Sequence, residues 1–143
     1  VNGSGKHNNW SLSTDTGIKG YRPLYGEMDT MKIKRGKLAY DSSKGYRYDS
    51  FKMRYLFNFL QKAKKQNLIF VVSPMWYEMD TLVLEPIREI CKENDIPLID
   101  FSNNPKYVHN NKFFKDGTHL NAIGADEFTH DLIVELRKQR AFQ

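Results

Sequence analysis

From Ser50 to Gln66 the apolar positions Phe51, Tyr55 and Phe59, with Leu56, Leu60 and Ala63, recur at three- and four-residue spacing. That period predicts an amphipathic helix over 50–66, apolar stripe inward and lysines outward, with Asp49 or Ser50 as its cap. "NLIFVVSP", Asn67 to Pro74, is a short unbroken apolar run bounded by turn residues, the pattern of a strand buried on both faces. A second helix is expected from Glu85, with Pro86 in its first turn and Ile87, Ile90 and Cys91 inward, until Asn94. "IPLIDFS", Ile96 to Ser102, predicts another strand. The last helix is expected over 122–138, with Ala125, Phe128, Leu132 and Leu136 on one stripe.

Helix, strand, helix, strand, helix with short connections is the order of crossover units, and it predicts an α/β fold: a parallel sheet with helices on both faces. The segment 1–49 is different. It is rich in Gly, Ser, Asn, Asp and Lys, carries its aromatics singly, and holds no period for long; short strands are expected only near Met31–Ile33 and Lys37–Tyr40. The 143 residues therefore divide into a loop-rich segment, 1–49, and a regular core, 50–143, of one domain. In open parallel sheets ligands sit beyond the carboxyl ends of the strands. "SPMWYE" after the first core strand and "DGTHLN" before the last helix both fall on that rim.

Composition narrows the partners. The 22 basic and 17 acidic side chains leave a net charge of +5, but the surplus is spread over runs such as "KIKRGK" and "KAKK", which read as solvated faces. No spacing of a nucleic-acid module accompanies them, so no nucleic-acid partner is expected. No run of about eighteen apolar residues is present to span a bilayer. The single cysteine, Cys91, excludes an internal disulfide and sits on an apolar stripe as a small core residue. "GSGK", Gly3 to Lys6, lacks the strand, the earlier glycine and the Ser or Thr that a phosphate-binding loop needs. His109, His119 and His130 with Asp116, Asp126 and Asp131 invite a metal reading; Asp126 and His130, at i, i+4, read instead as an exposed ion pair, and no metal is expected.

The pointed chemistry lies in "FFKDGTHLNAIGADEF", Phe113 to Phe128. A histidine acting as general base must present one ring nitrogen to a hydroxyl while another group fixes its tautomer through the other nitrogen. Asp116 precedes His119 by three residues, a spacing at which a tight turn brings carboxylate to imidazole. Asn121 is placed to cap the final helix. Ser73, followed by Pro74, lacks the strand-to-helix elbow of a catalytic serine and reads as a turn or pocket residue. Met75, Trp76 and Tyr77 either pack beneath a loop or form a stacking wall for a sugar or acyl group. Ser73, Met75, Trp76, Tyr77 and Asn121 are thus the candidate substrate-binding residues.

"DGTHLNAIGADEF", running directly into an amphipathic helix, resembles the final block of the SGNH hydrolases, also called GDSL-type esterases, in which Asp-x-x-His completes a triad with a serine. The resemblance spans about Ser50 to the end. It implies a three-layer, flavodoxin-like fold, incomplete on its amino-terminal side, and ester hydrolysis without cofactor, with His119 as base and Asp116 as triad acid. A carbohydrate deacetylase or other acyl esterase, acting on a small-molecule or glycan ester, is the activity it implies. The family's Gly-Asp-Ser block is not found, and Ser4 has no hydrophobic strand before it to aim it. "GKHNNW" is similar to a degenerate form of the loop that carries the family's oxyanion-stabilising Asn, which makes Asn8 and Asn9 candidate donors.

Three alternatives stay open: the carboxyl-terminal part of an esterase whose serine lies upstream of Val1, a glycan- or protein-binding module that has lost the nucleophile, and an acyltransferase using the same dyad. An incomplete sheet leaves an unpaired edge, so a homo-oligomer or pairing with an amino-terminal segment is expected. The compartment is open; removal of an export signal would make it extracytoplasmic.

Overall fold

A computed structural model describes residues 23–31, 33, 36–46, 49–63 and 66–139. The architecture is mixed α/β. Among the described residues the elements run β1 (Lys37–Leu38), α1 (Ser50–Ala63), β2 (Phe70–Val72), β3 (Glu78–Met79), a 3-10 turn (Thr81–Leu84), α2 (Glu85–Glu93), β4 (Leu98–Asp100), a second 3-10 turn (Asn111–Phe113) and α3 (Ala122–Lys138). β2 and β4 are parallel, Phe70 opposite Leu98 and Val72 opposite Asp100, with α2 in the crossover between them. That is the unit the alternation of periods predicts.

β1 and β3 form a second parallel pair, Lys37 opposite Glu78 and Leu38 opposite Met79. The Asn103 amide closes the far side of β3: its Oδ1 accepts from Met79 N at 2.8 Å and its Nδ2 donates to Met79 O at 2.7 Å. A side chain thus takes the place of a third strand at that residue.

Residues Met28, Trp76, Ile99, Phe101, Tyr107, Phe113 and Phe114 form one buried cluster, against which Phe128, Leu132 and Leu136 of α3 pack. Phe101 meets Phe128 edge to face at 5.2 Å between ring centres, the geometry that sets a ring's positive edge on its neighbour's negative face. Tyr107, fully buried, donates its hydroxyl to Asp131 Oδ2 at 2.6 Å, and Lys106 Nζ reaches the same carboxylate at 2.8 Å. This charge-assisted group ties α3 to the loop after β4.

α2 buries Ile90 and Cys91 as its period predicts. Burial raises the Cys91 thiol, which at 3% exposure is a packing residue.

The structure departs from the sequence-based expectation in four places. The described part of α1 is Ser50–Ala63, with Gln66 in a bend, and its aromatic stripe does not face inward: Phe51, Tyr55 and Phe59 are more than half exposed, while Leu60 and Ala63 are buried. Helical period shows that a face is apolar, not what covers it. Residues 31 and 33 form a turn and a bend instead of a strand. The core strands are shorter than their apolar runs, because ladder bonds extend only where the partner strand does. The Asp126–His130 pair is replaced by a neighbouring one, His130 Nδ1 lying 3.7 Å from Asp131 Oδ1.

Candidate active site at the final loop

The loop before α3 is closed by its own backbone. Asn121 N donates to Phe113 O at 2.9 Å, Lys115 N donates to His119 O at 2.8 Å, and Phe114 and Leu120 form an antiparallel bridge. Phe114, fully buried, roots the loop in the core. Gly124 in the first turn of α3 lets the helix lie against it, since a Cβ there would overlap the Phe113 carbonyl oxygen. Asn121 caps α3, its Oδ1 accepting from Gly124 N at 2.9 Å.

Between these anchors the turn presents Asp116 and His119. Asp116 Oδ1 accepts from Thr118 N and His119 N, both at 2.9 Å, and from Thr118 Oγ1 at 3.1 Å. Asp116 Oδ2 lies 2.8 Å from His119 Nδ1. A carboxylate beside Nδ1 selects the tautomer with the proton on that nitrogen, which leaves Nε2 with its lone pair free to accept a proton from a hydroxyl. Partial burial of Asp116 works to raise its carboxyl. The bonds from Thr118 N, the His119 ring, His119 N and the Thr118 hydroxyl outweigh it and hold the carboxyl down at about 2.

The pair is open to solvent, the His119 side chain at 66% exposure and that of Asp116 at 48%. Beside it lies a hollow of about 230 Å³, lined by His119 and Thr118 on one side and by Leu24, Ser73, Pro74 and Ala125 among the others. The structure thus brings Asp116, His119, Ser73 and Asn121 to one rim. The Asn121 amide, 2% exposed, is engaged with backbone carbonyls of Gly26 at 3.1 Å and Lys112 at 2.8 Å.

Trp76, 1% exposed, packs beneath the loop and does not offer an open stacking face. Tyr77 and Met75 are partly buried. Asn8, Asn9 and Ser4 lie outside the described residues. Among the described residues no group of three or more His, Cys, Asp or Glu side chains is arranged to hold a metal ion, and no helix is long and apolar enough to cross a membrane.

Sequence period does not reveal the support beneath the turn. The Trp76 backbone N–H donates to Gly117 O at 3.2 Å, and the Trp76 carbonyl accepts from His109 N at 2.9 Å. The signal that was available is the bulk of three consecutive large side chains directly after a buried strand.

No protein-family model and no solved structure matches the chain. A stretch of 23 residues, 16% of this chain, is 78% identical to part of a glutamine synthetase of Bacteroides fragilis (strain YCH46). The stretch amounts to 3% of that protein's length, so the likeness identifies neither fold nor activity for the domain.

Proposed function

We propose that the chain supplies the Asp-His half of a Ser-His-Asp ester hydrolase in an SGNH-like, three-layer flavodoxin-like domain. The observation that carries the reading is the 2.8 Å contact of Asp116 Oδ2 with His119 Nδ1 on the open rim, beside a hollow of a size for a small acyl group. In the reaction His119 Nε2 takes the proton of a serine hydroxyl as the oxygen attacks the ester carbonyl. The same proton then passes to the leaving alkoxide as the tetrahedral intermediate collapses. Asp116 stabilises the imidazolium between the two transfers. Water repeats the sequence on the acyl-enzyme and releases the acid.

The serine comes from a segment outside the described residues, and the substrate is a small-molecule or glycan ester. A fluorophosphonate reports on this directly. In the full-length protein its phosphorus is attacked by the activated serine, fluoride leaves, and one serine carries the adduct in a peptide digest, provided His119 is intact. Absence of an adduct under those conditions rejects the enzyme reading in favour of a binding module.

The sheet supports an incomplete domain. Phe70 N donates to Pro97 O and Phe101 N to Val72 O, so the N–H and C=O of Val71, which point the other way, line the opposite edge of β2. Among the described residues β4 is the strand paired with β2, and the free edge opens on an apolar groove lined by Ile69 to Ser73 with Ile87 and Leu98. In this reading a further parallel strand, from an amino-terminal segment or a second copy, lies against Val71. In the full-length protein the Val71 amide is then protected from hydrogen exchange as well as that of Val72. Fast exchange at Val71 alone argues against the added strand.

A further inference from the structure

We propose that Tyr77 is a positioning residue for the Asp116–His119 pair, its ring seated on Gly117 so that the turn is held at the rim in the one orientation that serves the base. The functional part of this rests on the esterase reading; the structural part does not. Four observations carry it.

Gly117 is buried although Lys115, Thr118 and His119 of the same loop are exposed and Asp116 is only partly buried. What buries it is Tyr77: a Cβ at position 117 would lie 2.6 Å from both Cζ and the hydroxyl oxygen of that ring, closer than real carbon atoms approach. The left-handed glycines among the described residues are Gly26 and Gly45, so Gly117 is needed for space and not for an unusual backbone angle.

The bonds of the Asp116 carboxylate run to Thr118 and His119 inside its own turn. They shape the turn but cannot fix it relative to the sheet. The links from the turn's centre to the segment leaving β2 are the Trp76 N–H to Gly117 O bond and the Tyr77 ring above it. That segment is itself immobilised, because Trp76 is 1% exposed, meets Tyr77 edge-on at 5.4 Å and His109 at 5.1 Å, and accepts the His109 N–H.

A catalytic pair displayed on an exposed loop needs such support, since a displacement of about 1 Å costs on the order of 10²-fold in rate. The Tyr77 hydroxyl is not required for this role, only its ring.

The test uses the full-length protein with Tyr77→Phe, Tyr77→Leu, Gly117→Ala and the Tyr77→Leu/Gly117→Ala double variant. Two readouts are taken: steady-state hydrolysis of a short-chain aryl ester, and hydrogen exchange at the Trp76 backbone amide, which donates to Gly117 O. Tyr77→Phe, which keeps the ring, is expected to retain most of the kcat that Tyr77→Leu loses. Tyr77→Leu and Gly117→Ala, which removes the ring's seat, are each expected to lower kcat by about 10²-fold. KM stays within about twofold. In both variants the Trp76 amide is expected to exchange about tenfold faster or more, as the turn's centre loses its seat on the sheet. The double variant is expected to be no worse than the poorer single one, because both changes break the same contact.

Unchanged exchange at the Trp76 amide in Tyr77→Leu and Gly117→Ala overturns the proposal, as does strict additivity. If the parent hydrolyses no ester, the enzyme reading falls, while exchange at the Trp76 amide still decides whether Tyr77 holds the turn.

Discussion

His119→Ala in the full-length protein is expected to lower kcat/KM for a short-chain aryl ester by about 10⁴-fold, nearly all of it in kcat, with the melting temperature unchanged. Stability is spared because the His119 side chain is 66% exposed and its ring bonds only within its own turn. Asp116→Asn is expected to cost almost as much. The amide retains an acceptor for the turn's N–H groups, but its NH₂ can donate to Nδ1, which selects the tautomer protonated on Nε2 and removes the base.

Steady-state kinetics from pH 3 to 9 check both. A His119→Ala enzyme within tenfold of the parent ends the proposal. The pH profile adds a sign. With its folded value at about 2 against an ordinary 3.8, Asp116 stabilises the folded turn fully above about pH 4, and that contribution disappears as the pH falls through about 2. The carboxylate is therefore charged throughout the working range, and an acid limb above pH 4 belongs to a different group. Half-exposed as the pair is, the effect on global stability is small.

How much of this was legible in the sequence differs from element to element, for physical reasons. α3 is readable at both ends, because Asn121 is a side chain that accepts from the helix's orphan N–H groups, and because Phe128, Leu132 and Leu136 repeat at the helical period against a real core. The Asp116–His119 contact was legible because it is local; three residues and a glycine bring the two groups together whatever the rest of the chain does. β3 was not, since two residues, Glu78 and Met79, are too few to show any period, and their pairing with Lys37 and Leu38 joins distant segments.

The same reason hid the support beneath the turn. Nothing in "DGTHLN" says that the glycine leaves room for a ring from "SPMWYE". Trp76, either a stacking wall or a packing residue by sequence, is settled as packing by its 1% exposure. α1 is the informative failure. Its stripe of Phe51, Tyr55 and Phe59 is a sound amphipathic pattern left at the surface, together with the free edge of β2. Two independent apolar surfaces that no described residue covers are what the proposal of an additional strand and its packing layer accounts for.

Asn121→Ala is expected to destabilise the domain by about 3 kcal/mol, more than any exposed substitution at the site. Three losses add up. The Gly124 N–H loses its cap acceptor at 2.9 Å, worth about 1 kcal/mol. The carbonyls of Lys112 and Gly26, which the amide bonds at 2.8 and 3.1 Å, lose their donor, at about 1 kcal/mol each where water cannot replace it. Water is excluded because the residue is 2% exposed.

For a domain of this size the melting temperature falls by about 10 °C. Asn121→Asp separates the cap from the donor role: the acceptor for Gly124 N survives, but a carboxylate oxygen now faces the two carbonyls. At pH 7 it is expected to be at least as damaging as alanine. Protonation restores an O–H donor toward those carbonyls, so the deficit of the Asp variant relative to the parent shrinks as the pH falls through the raised carboxyl value, whereas that of the Ala variant does not. Thermal melts of the three proteins at pH 7 and pH 4.5 decide the matter. A melting temperature for Asn121→Ala within about 2 °C of the parent would mean that the amide's bonds do not hold the site loop to α3.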